Sequence, residues 1–103
     1  MASDGPPLPL AAHLGTPPID VIVIFDRPLA TVPILNIANW AVRLAGVAQF
    51  VNAAAAAGYC VSLATTPGFP DPGPDVVSYS PPPFDVVGAH TVPVQAFANL
   101  QIT

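Results

Sequence analysis

Three consecutive prolines at residues 81–83 separate two short runs that have the composition of β-strands. The first run is VVSYS, which begins at Val76, and the second is VPVQAF, which ends at Phe97. Proline has no backbone N–H and fixes φ, so three in succession cannot lie inside a sheet. The chain must therefore leave one strand, continue as a stiff connection and then enter another strand.

Charged side chains are rare in this chain. They make up 8% of its 103 residues, against 52% hydrophobic residues, whereas an average soluble domain has about 25% charged residues. The net charge is -4, from six aspartates and two arginines with no Lys or Glu. Nucleic-acid binding draws its affinity from Lys and Arg, so we expect no nucleic-acid partner. Lysine usually protects exposed strand edges, so we expect a protein partner to cover them here.

The first 18 residues contain five prolines and two glycines. This composition favours an extended, polyproline-like arm over a helix or a strand. The opening MASDGPPLPL has neither the basic region nor the uninterrupted apolar core of an export signal, so we expect an unprocessed, cytoplasmically made polypeptide. We predict an arm over residues 1–18 and one folded domain over residues 19–103, and we expect the domain to fold without the arm.

The segment IDVIVIFDRPL, residues 19–29, is rich in β-branched residues and ends in turn-forming residues. It predicts a strand that a turn stops. Both faces of this strand are apolar, which is typical either of full burial or of a face that meets another chain. The period-two alternation places Val21, Val23 and Phe25 on one face and Ile22 and Ile24 on the other.

The centre of the chain predicts further strands. NWAVRLAG alternates so that Trp40 points inward. The alanines at 53–57 have high helix propensity, but five residues are too few for a stable helix and Gly58 stops it. We therefore predict a strand and a turn that lead into YCVSLATT.

The last third of the chain alternates turn signals with short strand-like runs. PGFPDPGPD, residues 67–75, predicts a loop, and FANLQIT predicts a closing strand with Ala98, Leu100 and Ile102 on one face. Short strands with turn signals about every ten residues predict an all-β sandwich.

The residues that could carry chemistry do not form recognisable sites. His13 and His90 have neither a second histidine at i+4 nor a carboxylate at ligand spacing. Cys60 stands in a predicted strand, and no serine lies in a nucleophile-elbow context. Asp71 and Asp75 are typical of turn caps, with calcium ligation as the alternative. We predict no enzyme activity, no cofactor and no metal.

The most apolar window, residues 40–61, raises the question of a membrane span. It contains Arg43, Gln49 and Asn52. An arginine near the centre of a bilayer costs a few kcal/mol. We therefore predict no membrane span.

Four segments together resemble a known family. IDVIVIFDRPL, ANWAVRLAGVAQFV, AAAAAGYCVSLATT and VVSYSPPPFDVVGAHTVPVQAF are similar to bacterial immunoglobulin-like domains, which occur as repeats in surface proteins and as modules on tailed phage particles. The resemblance covers roughly residues 19–102. The matching positions are Asp26, Pro28, Leu29, Asn39, Trp40, Gly58, Val61, Leu63, Tyr79, Pro81, Gly88 and Phe97.

The resemblance implies an immunoglobulin-like β-sandwich of about seven strands, here with an extended Pro-rich N-terminal arm. With the uncharged composition it leads us to expect a structural protein of the virion, a phage head decoration or cement protein. Its partners would be the major capsid protein or other virion subunits, and it would form a homo-oligomer on the particle. The residues expected to bind the partner are Pro6, Pro7, Leu8, Pro9 and Leu10 of the arm, with Ile22 and Ile24 of the first strand.

Three other functions fit the same pattern. A phage tail or baseplate subunit would have the same features, and a cell-surface adhesion module would be a piece of a longer repeat protein. A carbohydrate-binding sandwich would need an exposed aromatic platform, whereas Trp40, the only tryptophan, is predicted in the core.

Overall fold

The computed structural model describes residues 6–16, 19–81, 86–88 and 92–103, so Pro82, Pro83 and His90 lie outside the described residues. Within these ranges the chain forms seven strands and one 3-10 turn, Ile37–Asn39. The prediction of an all-β fold with about seven strands is confirmed. The strands are β1 (Pro9–Leu14), β2 (Val21–Phe25), β3 (Trp40–Leu44), β4 (Val47–Ala57), β5 (Cys60–Pro70), β6 (Val76–Tyr79) and β7 (Phe97–Gln101).

The strands pair antiparallel in the order β1-β2-β5-β4-β3-β6-β7. The two ends of this order meet, because Ala12 of β1 lies opposite Ile102. The Leu14 N–H donates to the Thr103 carbonyl at 3.1 Å, and the Thr103 N–H donates to the Ala12 carbonyl at 2.9 Å. The sheet therefore nearly closes around one core.

The core follows the alternation predicted from the sequence. Val21, Val23 and Phe25 of β2 are buried, whereas Ile22 and Ile24 are half-buried on the other face. Trp40 is 5% exposed, and its ring centroid lies 4.7 Å from that of Tyr79 and 6.0 Å from that of Phe97. The predicted inward position of Trp40 is confirmed. The other core residues include Leu29, Leu35, Val42, Ala54, Ala56, Val61, Leu63, Val77, Val86, Val94 and Ile102.

The alanine-rich segment lies in β4, as predicted. Ala54 pairs with Leu63 and Ala56 pairs with Val61 of β5. The other edge of β4 is covered by the preceding loop, where Val32 and Ala56 exchange two backbone hydrogen bonds of 2.9 and 2.8 Å. Hydrogen bonds on both sides override the helix propensity of alanine.

Two strand predictions are corrected. β5 continues to Pro70, although a loop was expected from residue 67. The pairing of β2 with β5 ends at Leu63, and a strand with one free edge tolerates proline.

The second correction concerns β7, where Ala98 and Leu100 were predicted to share a face. Asn99 has φ +57, and the resulting irregularity leaves Ala98 exposed while Phe97 and Leu100 pack against the core.

The predicted arm is part of the sheet over Pro9–Leu14. This strand pairs with β2 from Pro9 opposite Phe25 to Leu14 opposite Val21, and Ala12 is buried in the core. Residues 10–14 contain no proline, so each of them has a backbone donor for a ladder. Residues 1–5 and 17–18 lie outside the described part of the chain.

Deletion of residues 1–18 is now expected to destabilise the domain, because it removes β1 and Ala12 and exposes the edge of β2. An exposed strand edge also promotes aggregation. Circular dichroism and light scattering of the truncated protein would measure both effects. A cooperative, monomeric truncated domain with unchanged stability would contradict this role of β1.

Trp40→Ala should lower the free energy of unfolding by about 3 to 5 kcal/mol, because it removes a large buried aromatic side chain. This is a large part of the roughly 5 to 15 kcal/mol that stabilises an ordinary domain. The midpoint of urea denaturation measures the effect, with the exposed Ile37→Ala as a control. A midpoint close to that of the wild type would place Trp40 outside the core.

Ala45→Asn should stabilise the domain. Ala45 (φ 54) and Gly46 (φ 73) form the two-residue turn between β3 and β4. A turn with positive φ at both positions favours the sequence Asn-Gly. The left-handed conformation costs an alanine roughly 1 kcal/mol. The free energy of unfolding should therefore rise by a fraction of that amount, and thermal denaturation measures the change. Gly46→Ala should act in the opposite direction, and a gain from it would contradict the turn assignment.

Candidate functional site

The outward side chains of β1, β2, β5 and β4 form one uncharged surface, here called the four-strand face. Two rows of paired residues cross it, and each row contains one isoleucine of β2. Both isoleucines predicted to bind a partner therefore lie on the same face. The first row is Ala11, Ile24, Cys60 and Ala57, and the second row is His13, Ile22, Ser62 and Ala55.

The side chains around the two isoleucines are small. Alanine, serine and cysteine occupy five of the eight positions, and His13 is the one larger neighbour, so most of the surface is flat and another sheet can approach it closely. Cys60 is a half-buried free thiol within the first row. A surface of this kind binds by apolar burial and shape rather than by ion pairs.

The predicted arm residues divide into two groups. Leu8 and Leu10 are exposed, and the Leu8 backbone is tied to Asp26 by hydrogen bonds of 2.9 and 3.0 Å. Pro7 is instead fully buried, and its ring packs so closely against Gly88 that a Cβ there would lie 3.0 Å from Pro7 Cγ. The side chain of Pro7 belongs to the core and is not available to a partner.

Pro6 and Pro9 are half-buried beside Pro7. Leu8 and Leu10 therefore are the two residues of the predicted arm set whose side chains are largely free. Leu14, at the other end of β1, is also exposed, and the sequence analysis did not assign it to a binding surface.

A second surface feature lies on β3, β4, β6 and the end of β5. It is a groove of about 300 Å³, here called the Phe50 groove. Phe50 and Phe69 stand at its side, 56% and 59% exposed, with ring centroids 6.4 Å apart and planes at 68°. Sequence reasoning missed this pair because residue 69 was expected in a loop.

Polar side chains also line the Phe50 groove. The Nη2 of Arg43 donates to Oδ2 of Asp71 at 3.1 Å. Gly73 lets the loop approach this guanidinium, because a Cβ there would lie 2.7 Å from Nη1 of Arg43. Among the described residues, the buried side-chain atoms without a hydrogen-bond partner are Nε1 of Trp40, whose ring packs in the core, and Nε of Arg43. An unsatisfied buried donor costs about 1 to 3 kcal/mol.

The residues considered for metal or acid-base chemistry have structural contacts. Asp71 pairs with Arg43, and Asp75 accepts a hydrogen bond of 2.8 Å from the Ala45 N–H. His13 Nδ1 lies 2.8 Å from Oγ1 of Thr103, where β1 meets the end of the chain. Within the described ranges, His, Cys, Asp and Glu do not form a group of three that could hold a metal ion.

The helical structure of the described residues is the 3-10 turn Ile37–Asn39. In the part of the chain that is described, no helix has the length and apolar character needed to cross a bilayer.

The chain was compared with protein-family models, curated proteins and solved structures. No protein-family model, curated protein or solved structure matches this chain.

Proposed function

We propose that this protein is a structural subunit of a virus particle, a phage head decoration or cement protein. The observation that carries the proposal is the four-strand face, where Ile22 and Ile24 lie among small uncharged side chains. The face attaches the protein to the major capsid protein or to other virion subunits. The protein is made in the host cytoplasm and resides in the virion, with no catalytic role, no nucleic-acid partner and no membrane contact.

The strand order supports an immunoglobulin-like assignment. If β1 to β7 are taken as strands A to G, the order is A-B-E-D followed by C-F-G. Constant-type immunoglobulin domains have these two sheets, and their strand C carries a buried tryptophan in antibody domains. Trp40 is buried on β3, the third strand. Domains of the family that the sequence resembles occur on tailed phage particles, which supports the proposed location.

The size of the four-strand face indicates that other residues join the contact. Strand spacing and rise give it dimensions of about 19 by 17 Å. A stable interface buries roughly 800 Å² on each partner, which is more than this face provides. The exposed leucines of the N-terminal segment, Leu8 and Leu10, supply additional apolar area. A homo-oligomer on the particle would add contacts between neighbouring copies.

The double variant Ile22→Thr and Ile24→Thr should attach to particles about tenfold more weakly, because it removes apolar area from the interface. Threonine is also β-branched, so β2 should be kept. The measurement uses particles produced without this protein, incubated with the purified chain and recovered by sedimentation. Ile34→Thr is the matched control, because Ile34 is 84% exposed and lies outside the four-strand face.

Salt separates apolar from electrostatic attachment in the same assay. At about 1 M salt, screening acts within roughly 3 Å, and burial of apolar surface is not weakened. Occupancy should therefore hold or rise. Normal attachment of the double variant, together with release of the wild type by salt, would contradict the proposed interface. Absence of the protein from purified particles by mass spectrometry would contradict the virion assignment itself.

A further inference from the structure

Strand β1 fills a slot that the rest of the sheet leaves open. On one side it pairs antiparallel with β2. On the other side the Leu14 N–H donates to the Thr103 carbonyl at 3.1 Å, and the Thr103 N–H donates to the Ala12 carbonyl at 2.9 Å. Without β1, both sides of the slot would have unpaired backbone groups, and only a strand with this register would satisfy them.

The side chains of the N-terminal segment also fit the slot. Pro7 and Ala12 are buried, and Pro7 packs against Gly88. The backbone of Leu8 exchanges hydrogen bonds of 2.9 and 3.0 Å with Asp26. These contacts depend on the sequence of the segment and not on the chain to which it belongs. The same segment of a second copy can therefore make each of them.

The connection between β1 and β2, residues 15–20, has a sequence that favours an extended backbone. It contains Pro17 and Pro18, and a residue that precedes a proline is biased toward β or polyproline II backbone. The chain nevertheless reverses direction over these residues, because β1 and β2 are antiparallel neighbours. Local preference and the observed reversal thus oppose each other.

The reversal is also crowded at its first residue. The Gly15 N–H donates to the Asp20 carbonyl at 2.9 Å, and a Cβ at Gly15 would lie 2.7 Å from the carbonyl oxygen of Ile19. Backbone atoms are in contact there, so a side chain can be accepted only if the connection opens. Short connections under strain favour the exchange of an element between copies.

We propose that β1 is exchanged between two copies of this chain. The segment 6–14 of each copy fills the slot between β2 and Thr103 of the other copy, and residues 15–20 open into an extended linker of at most about 20 Å. The binding partner of the slot is therefore a second copy. Reciprocal exchange gives a closed two-fold dimer and preserves the hydrogen bonds of β1.

Disulfide trapping in solution tests the exchange. Ala11 of β1 lies opposite Ile24 of β2, at a separation that a disulfide can bridge. One variant carries Ala11→Cys and the other carries Ile24→Cys. Both carry Cys60→Ser, because the native thiol also lies opposite Ile24. The two variants are mixed in denaturant and refolded together at high concentration with oxidised glutathione. A covalent dimer of the two different chains should appear on a non-reducing gel.

A second mixture controls for random cross-linking. It combines Ala11→Cys with Ile34→Cys, again with Cys60→Ser. Ile34 is 84% exposed and is not a partner of β1, so a cysteine there is accessible but lies outside the slot. This mixture should yield at least tenfold less mixed dimer.

Variants of the connection test the cause of the exchange. Gly15→Ala should raise the dimerisation constant about tenfold, because its Cβ meets the Ile19 carbonyl only in the reversed connection. The double variant Pro17→Gly and Pro18→Gly should lower the constant by a similar factor, because glycine has no bias toward extended backbone. Size-exclusion chromatography with light scattering measures the dimer fraction over a concentration series, and circular dichroism checks that each variant is folded.

Two results would overturn the inference. The first is a yield of mixed dimer with Ile24→Cys that does not exceed the yield with Ile34→Cys. The second is a dimer fraction that neither Gly15→Ala raises nor the glycine double variant lowers. The assays contain no particles, so either result would leave the proposed attachment to a virion standing.

Discussion

Backbone hydrogen bonding at the strand edges is the constraint on which this fold depends. The chain has 15 prolines and no lysine, so lysine cannot protect an open edge. The edge of the C-terminal half of β4 is covered by the loop that contains Val32 and Leu35. The outer strands β1 and β7 meet at Ala12 and Ile102, and the free part of β5 contains prolines. The chain satisfies or blocks these edges with its own backbone.

Because the edges are closed, the faces of the sheet are left for recognition. The four-strand face is flat and has small, uncharged side chains around Ile22 and Ile24. The Phe50 groove is concave and has two exposed phenylalanine rings beside the Arg43–Asp71 pair. The first surface suits a broad apolar contact, whereas the second is a narrow groove with exposed aromatic rings and one ion pair. One small domain thus presents two surfaces with different binding chemistry.

The part of the candidate site that was predictable lies within one strand. Alternation alone put Ile22 and Ile24 on one face, and the structure confirms that face. The Phe50 groove was not predictable in the same way, because Phe50 and Phe69 approach each other only through the register of β4 with β5, in which Ala48 pairs with Phe69. The burial of Pro7 likewise depends on Gly88, a residue far away in the sequence.

The sequence by itself determined the all-β class, the inward position of Trp40 and the strand formed by the alanine run, because period-two alternation and the stop at Gly58 are local properties. Tertiary structure decided the fate of residues 9–14, which joined the sheet since β2 and Ile102 offered partners on both sides. It also decided which side chains of β7 face the core. A shift of one residue exchanges the faces of a strand, and the positive φ of Asn99 arises where β7 meets β6.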